Sequence, residues 1–486
     1  MNNEPAKALT HAWRAFFSCD TRELPAGNLE EASHLAFQQT QVVGVDSAPS
    51  HLREFCSKTT NQDLVIEAAS LRQESKFPSV FGSRPGLVLA SRLVLNWNVL
   101  LIKEESQLIL VFQGVTSCDA ILLPGSEILL LVCHLDPQRV ADCVAILSRT
   151  PEFFSPTQRS RFGGYLIGHT RPYHCLYDGL LALEYIRQAG ELRENDPVIS
   201  KTDEAFLNLS SCLSLKQAHQ QLDREAINHL CNEQNIYLLQ LGFWFNTRGE
   251  HQQFRQLAEA VDRPIRDAAL QQSQINEIGA IEALNEFSPL IWIGITGQKR
   301  RWIEQVEGTA ELLNTLYRFY PRLGIIFDGW TPPLACTDYH RREIQNDNRV
   351  IQKIIRRLNF KTRKNTFIIV GLPMIDKVRI GLEADAFVAN YTTGSLVIAR
   401  ICGKPGVGHM GRRMMASKHQ HIHHKTQEIP AEYVSDISVA STPTGYVNYS
   451  IPWQAIYNEL LEVLETLPMR PKRRSRPLAI QVPTGR

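Results

Sequence analysis

Two turns and one polar loop hold the residue types that could do chemistry in this chain. The first turn lies in AFVANYTTGSLVIARICGKPGVG, Ala386 to Gly408. It reads as a buried strand, the tight turn Thr392-Thr393-Gly394-Ser395, and an apolar helix. The backbone N–H groups of Thr393, Gly394, Ser395 and Leu396 would then point out of a helix N-terminus, where they can bind an anion such as phosphate. Gly394 has no Cβ, so a ligand can approach the backbone closely. An ordinary strand–turn–helix would look the same. The second turn, ITGQKRRW (Ile295–Trp302), follows one strand and precedes one helix. Lys299, Arg300 and Arg301 crowd the expected helix start, and cations there oppose the helix dipole unless an anion lies between. The loop GHTRPYHCLYDG (Gly168–Gly179) holds His169, Arg171, His174 and Asp178. His174 and Asp178 are four apart, so on a helix they share a face and could form a base with its orienting partner. They could equally be a satisfied histidine and a capping carboxylate.

The elements that must position these groups follow from the hydrophobic rhythm. Helical pieces are expected at His11–Phe17 and Leu29–Gln39. LVLASRLVLNWNVLLI, QLILVFQG, AILLPG and EILLLVCHL, between Gly86 and Cys133, are short β-rich runs broken by polar or Pro/Gly turns, the pattern of an antiparallel meander. Pro151–Gly164 reads as a linker. From Gly164 the rhythm becomes α/β: YLIG as a strand, an amphipathic helix ending at Ala189–Gly190, and Ile236–Phe245 as a further strand. The segment between, KTDEAFLNLSSCLSLKQAHQQLDREAINHL, reads as largely helical. A second α/β unit opens at Pro289 with strand, basic turn, helix and strand, then a helix over Arg341–Leu358 and the strand NTFIIVG. A late helix spans Trp453–Leu467. Strands alternating with helices of this length predict right-handed crossovers and a parallel sheet. In such sheets ligands bind beyond the carboxyl ends of the strands, where both turns would lie.

Composition narrows the class. The 486 residues allow two or three domains, and 43% hydrophobic with 21% charged content is ordinary for a soluble globular chain. No apolar run reaches the roughly 18 residues of a spanning helix. The start, MNNEPAKALTHAWRAFF, does not read as a secretory signal. Ten scattered cysteines without metal-type spacing suit reduced, buried thiols in a cytosol. The net charge of +2 conceals an asymmetry. Ile291 to Pro430 carries 22 Lys and Arg against 11 Asp and Glu, a balance of +11 that leaves −9 elsewhere. That local field suits a polyanion such as a nucleotide diphosphate, although solvated helix faces could also carry it.

KRRWIEQVEGTAELLNTL followed by a strand resembles the nucleotide-binding half of GT-B glycosyltransferases, and is most similar to the heptosyltransferase pattern of a basic residue and Trp opening a long helix. VANYTTGSLVIARICGKPGVGHMG resembles that family's strand–Asp-Thr-Gly–helix–Gly-x-Pro segment. YHCLYDGLLALEYI resembles the Tyr-His…Asp…Leu helix of the GT-B-like group that includes plant xylosyltransferases. The resemblance runs from about Gly164 to Leu467. Two departures stand out: Tyr391-Thr392-Thr393 occupies the family's Asp position, and Leu396 or Val397 its later His. These departures put a heptose donor in doubt but not a phosphate cradle made of backbone. No D-x-D triplet is present, which argues against a nucleotide held through Mg²⁺.

The resemblance implies an α/β fold of GT-B type, with two Rossmann-like domains facing a cleft and an N-terminal accessory module containing an antiparallel sheet. The expected boundaries are 1–155 for the module, 160–288 for the acceptor side, 289–468 for the nucleotide-sugar side and 469–486 for a basic Pro-rich tail. The implied activity is transfer of a sugar from a nucleotide-sugar to a glycan or lipid-linked saccharide, as in polysaccharide biosynthesis, with no metal or other cofactor. The donor-side residues are Lys299, Arg300, Thr392, Thr393, Gly394, Ser395 and Asp328. The base is His174 or Asp178, with His169 next in line. A nucleotide-sugar epimerase and a catalytically inactive scaffold are the rivals.

Other segments rank lower. Trp330 could stack on a base or sugar, or fill a core. His419–Lys425 could bind a metal, but without Cys or paired carboxylates nearby a basic anion-facing loop with Arg412 and Arg413 fits better. Arg356–Lys364 and Arg470–Arg476 lack the aromatic interleaving of nucleic-acid binders. The latter could instead touch anionic headgroups on the inner face of a membrane.

Overall fold

The computed structural model describes residues 41–60, 63–82, 84–124, 128–132, 136–154, 159–213, 215–242, 251–273, 280–298, 300–391, 393–415, 425–437, 447–468 and 476–480. The helices expected before residue 40, the His-rich run through His424, and Arg470–Ser475 lie outside the described residues, as do Lys299 and Thr392. The chain divides into two compact units. One comprises Met1–Thr170, His174–Ala205 and Leu215–Asn246; the other comprises Arg171–Tyr173, Phe206–Ser214 and Thr247–Arg486.

In the first unit, β1 (Gln41–Gly44), β2 (Lys76–Phe77), β3 (Gly86–Val94), β4 (Trp97–Glu104), β5 (Gln107–Gln113), β6 (Ala120–Leu123) and β7 (Ile128–Leu131) form one sheet, ordered β1-β7-β6-β5-β4-β3-β2. From β2 to β7 every neighbour is antiparallel, the expected meander, and β1 joins parallel to β7. The helix Pro137–Ser148 covers one face, burying Val140, Val144 and Leu147 against Leu101, Leu110 and Phe112. Asp136 caps it by accepting from the Gln138 N–H.

A second sheet of the same unit is wholly parallel: β8 (Arg161–Ile167), β9 (Val198–Lys201), β10 (His219–Leu222) and β11 (Ile236–Gln240), in the order β10-β9-β8-β11. Here the sequence reading fails locally, because β10 lies in a stretch expected to be largely helical and β9, just before it, was not anticipated. VISK is buried between neighbours and HQQL is an edge strand, so sheet pairing decides their conformation over a mixed local pattern. The helices Leu209–Leu213 and Arg224–Glu233 are where helix was expected.

Polar side chains join the two sheets. Asn98 Nδ2 donates to the Leu238 carbonyl (2.8 Å), and the Leu238 N–H donates to Ser91 Oγ (3.0 Å). Gln113 Oε1 accepts from the Gln240 N–H (3.1 Å), while the Ser117 N–H donates to the Gly242 carbonyl (2.8 Å). Arg72, fully buried, is held by Asp196 (2.7 Å) and Glu191 (3.3 Å).

The second unit is built on six parallel strands: β12 (Leu290–Gly294), β13 (Gly324–Asp328), β14 (Thr366–Ile368), β15 (Ala386–Asn390), β16 (Gly406–His409) and β17 (Thr426–Glu428), ordered β14-β13-β12-β15-β16-β17. The order reverses between β12 and β15, which makes that junction the topological switch point. Buried apolar strands such as LIWIG and GIIFD suit a sheet covered on both faces. The helices Gln305–Phe319 and Trp453–Glu465 share one core cluster with this sheet. A short hairpin, β18 (Ser435–Ile437) with β19 (Asn448–Ser450), bridges through Tyr449 to Trp302.

The long helix His251–Gln272 belongs to this second unit and is pinned by a buried ion pair. Arg400 Nε and Nη2 both meet the Asp262 carboxylate at 2.8 Å, and both side chains are 3% exposed. Removing one partner strands the other charge in the core. Arg400→Ala is therefore expected to destabilise the protein by about 3–5 kcal/mol, read from chemical denaturation. Lys216→Ala, which removes the exposed pair with Glu194, should cost under about 1 kcal/mol. Equal losses would show that the buried pair has no special weight.

Candidate functional site

The turn after β12, the end of β13 and the turn after β15 converge on one pocket of the second unit. Ile295, Thr296, Gly297, Gln298 and Arg300 line it from the first turn, Asp328 to Thr331 from the second, and Gly394, Leu396 and Val397 from the third. Arg171, Pro172, Asp347 and Met374 complete the lining. An ideal Cβ on Gly394 would stand 4.0 Å from Thr296 Oγ1, and one on Gly294 would stand 3.3 Å from the Gly394 carbonyl oxygen. The two turns singled out in the sequence are thus neighbours at the switch point.

The basic turn is built differently from its expected form. The helix does not begin beside Lys-Arg-Arg; it begins at Gln305. Between them Trp302, 2% exposed, bridges to Tyr449, and its ring N–H donates to the Ile451 carbonyl (2.9 Å). A buried indole in this position holds the chain away from helical geometry for three further residues. Arg300 and Arg301 therefore do not stand at a helix start and do not oppose its dipole. Arg300 nonetheless lines the pocket, in a left-handed conformation (φ 55°) that non-glycine residues rarely adopt. Its carbonyl accepts from Asn390 Nδ2 (3.0 Å), which also donates to the Tyr449 hydroxyl (2.8 Å). Tyr449 in turn meets His409 Nδ1 at 2.7 Å. Burial pulls the His409 imidazole down to about 4, so at neutral pH it is uncharged and accepts the phenol proton.

Gln305 brackets Thr296, accepting from its N–H (3.0 Å) and donating to its carbonyl (3.1 Å). Asp347, from the helix Asp338–Arg357, accepts from the Gly297 N–H (2.8 Å) with one oxygen and the Trp330 N–H (2.7 Å) with the other. A Cβ on Gly297 or Gly329 would meet this carboxylate at 2.7 Å, which explains glycine at both positions. Despite both N–H donors, burial raises the Asp347 carboxyl to about 6.

Lys377 stands beneath the same wall, fully buried. Its ammonium meets Asp328 Oδ1 (2.6 Å) and donates to the carbonyls of Gly329 (3.0 Å) and Trp330 (3.1 Å) and to Thr331 Oγ1 (3.0 Å). Desolvation raises the Asp328 carboxyl and Lys377 opposes it. Asp328 therefore lines the pocket as half of a buried pair.

Of the remaining donor-side residues, Ser395 is buried and Thr393 opens the helical turn that continues as a π turn over Leu396–Ile401. Such i→i+5 turns recur at functional sites, and a second spans His174–Gly179 in the first unit. There His174 Nδ1 lies 2.7 Å from Asp178 Oδ2, and the His169 ring is 4.5 Å from that of His174, centroid to centroid. His174 is 24% exposed and Asp178 only 2%. Nδ1 being taken by the carboxylate, proton transfer would fall to Nε2. Arg171 and Pro172, which line the second unit's pocket, stand just before this turn in the sequence.

Among solved structures, the chain has a partial likeness to two glycosyltransferases at low TM-scores. It resembles the ADP-heptose LPS heptosyltransferase II of E. coli at 12% identity and a TM-score of 0.36, covering 62% of this chain and 98% of that one. It resembles the glycosyl transferase family 9 protein of Veillonella parvula at 11% identity and 0.34, covering 62% and 95%. The UDP-GlcNAc 2-epimerase of Neisseria meningitidis follows at 16% and 0.20, over 56% and 63%. No family model matches the chain, and no curated protein does. The α/β class expected from the sequence, parallel sheets beside an antiparallel one, is the class observed. Among the described residues no helix is long and apolar enough to cross a membrane, and no His, Cys, Asp and Glu cluster could hold a metal.

Sequence reasoning missed Asp347, Lys377, Gln298 and Gln305. Asp347 sits in the polar run QNDNR, indistinguishable from a solvated helix face, and Lys377 pairs with a residue 49 positions away.

The raised Asp347 value and the depressed His409 value have opposite proton linkage. The Asp347 contribution to stability is present below its unfolded value near 3.8 and is lost as pH rises through about 6. The His409 contribution is present above its ordinary 6.5 and is lost as pH falls towards about 4. In wild type the two offset each other between about pH 4 and 6. Asp347→Asn should leave the His409 effect unopposed, so stability should fall more steeply on acidification from pH 6 to 4 than in wild type. Parallel stability–pH curves from thermal unfolding would contradict this.

Proposed function

We propose that this protein is a metal-independent glycosyltransferase whose second unit holds a nucleotide-sugar donor. The observation that carries the reading is the convergence of the β12 and β15 turns, with Arg300 and Arg171, on one pocket at the switch point. The N–H groups around Gly394 and these two guanidiniums would hold the diphosphate and stabilise its charge as the anomeric bond breaks. The Gly297 N–H is occupied by Asp347, so the Gly394 turn carries more of this duty than the basic turn. Lys299, Thr392, Thr393 and Ser395 belong to the same proposed donor side, and Asp328 supports its wall. In the first unit His174, oriented by Asp178 with His169 beside it, would remove the proton from an acceptor hydroxyl.

The acceptor side would correspond to 160–288 and the donor side to 289–468. Residues 1–155 would form the accessory module, and the tail 469–486 is the segment that would meet anionic headgroups on the inner face of a membrane. The acceptor class proposed is a glycan or lipid-linked saccharide, by analogy.

Thermal-shift screening with ADP, UDP and their sugar conjugates tests the donor assignment, and product analysis with and without a saccharide acceptor tests transfer. A donor isomer formed without acceptor would identify an epimerase instead. Binding without any turnover would identify a scaffold.

Gly394→Ala separates ligand binding from folding. The added Cβ would meet only Asn390 at 3.8 Å and Thr296 at 4.0 Å. The fold should be retained while ADP or UDP binding weakens about tenfold or more. Unchanged affinity by calorimetry would remove the phosphate from this turn. Arg300→Ala should weaken nucleotide binding more than deletion of 469–486 does. His174→Ala should lower kcat by about 10²–10⁴ with nucleotide affinity unchanged; a fall in affinity instead would place His174 outside the proton transfer.

A further inference from the structure

The pocket at the switch point contains more than an anion cradle. Trp330 lines it, half-buried, at the turn after β13. Its backbone is fixed on both sides: the N–H donates to Asp347 (2.7 Å) and the carbonyl accepts from Lys377 (3.1 Å). Its ring is fixed as well. The indole N–H donates to His340 Nδ1 (3.1 Å), His340 lies 5.8 Å away at an interplanar angle of 30°, and Tyr339 stands edge-on at 5.8 Å. An indole whose polar atom is already engaged presents only its π surface to a ligand. Two buried ionisable groups thus fix the backbone, and His340 the ring, of one aromatic residue that lines the pocket.

A second observation points to a ligand in the same place. Gln298, which also lines the pocket, has its Nε2 buried with no hydrogen-bond partner. A buried donor without an acceptor is unfavourable, and an acceptor atom on a ligand would satisfy it. Met374, Leu396 and Val397 add apolar lining.

We propose that Trp330 is the stacking platform for the base of the nucleotide and that Gln298 donates a hydrogen bond to the same ligand. This rests on the nucleotide-sugar reading and adds to it. A flat aromatic group joined to a diphosphate matches an indole face, an amide donor and two guanidiniums in one pocket, whereas pyrophosphate alone leaves the indole unused. Stacking on an aromatic side chain tolerates any base, so Trp330 supplies affinity and Gln298 the polar contact.

Calorimetric titration of the full chain with ADP, UDP and inorganic pyrophosphate tests this. Trp330→Leu and Trp330→Phe both lose the bond to His340, so their comparison isolates the aromatic face. Trp330→Leu should weaken ADP and UDP about tenfold and leave pyrophosphate within about twofold, while Trp330→Phe retains most of the nucleotide affinity. Gln298→Leu should likewise weaken the nucleotides. Fluorescence offers a second readout: ADP should quench the wild-type emission, and Trp330→Phe should abolish that quench. Nucleotide affinity unaffected in Trp330→Leu, or pyrophosphate weakened as much as ADP, overturns the platform while leaving the nucleotide-sugar reading standing. No binding of ADP or UDP by the unaltered protein overturns both.

Discussion

A single buried carboxylate, Asp347, sets the shape of the switch-point pocket. Its two oxygens take one backbone N–H from the turn after β12 and one from the turn after β13, and with the Ile295 N–H donating to the Asp328 carbonyl (2.9 Å) this keeps the two loops at a fixed spacing. The geometry leaves no room for a side chain at Gly297 or Gly329. Desolvation works against the charged form and the two N–H donors work for it, with desolvation prevailing. The pocket wall is therefore held by a group that is itself poorly solvated, and the Lys377–Asp328 pair beneath it is of the same kind. Replacing water by fixed dipoles in this way gives a site that needs little reorganisation when a charged ligand arrives.

The positive balance between Ile291 and Pro430 separates into three populations. Some cations are neutralised inside the unit, as Lys377 by Asp328 and Arg400 by Asp262. Others decorate the exposed faces of helices and pair locally, as Arg341 with Asp338 and Arg357 with Glu307. Among the described residues of that stretch Arg300 lines the pocket, where Arg171 joins it from outside the stretch.

In the first unit the meander and the parallel sheet share a polar seam. Asn98, Gln113 and Ser117 hold β11 and the residues after it by its backbone. The Leu241 N–H donates to the Leu166 carbonyl, and a Cβ on Gly179 would lie 3.7 Å from the Leu241 carbonyl. The π turn bearing His174 and Asp178 therefore packs against backbone whose position the meander helps to fix. Such a seam makes the antiparallel sheet part of the scaffold of that turn.

The alternation of apolar runs and helix-length segments was enough to reveal the meander, the parallel sheet from Leu290 onward and the strand–turn–helix at Gly394, because periodicity and glycine placement are local properties. The spacing of His174 and Asp178 anticipated their contact for the same reason. What remained hidden depended on partners distant in the chain. HQQL read as helix until β9 offered it a ladder, and the basic turn read as a helix start until Tyr449 captured Trp302. Asp347 and Lys377 carried no local sign of their role, because it is folding that encloses them beneath the β13 turn. Sequence alone determined which residues could bind an anion or move a proton; tertiary structure decided which of them share a pocket, because burial and long-range hydrogen bonds carry no local signature.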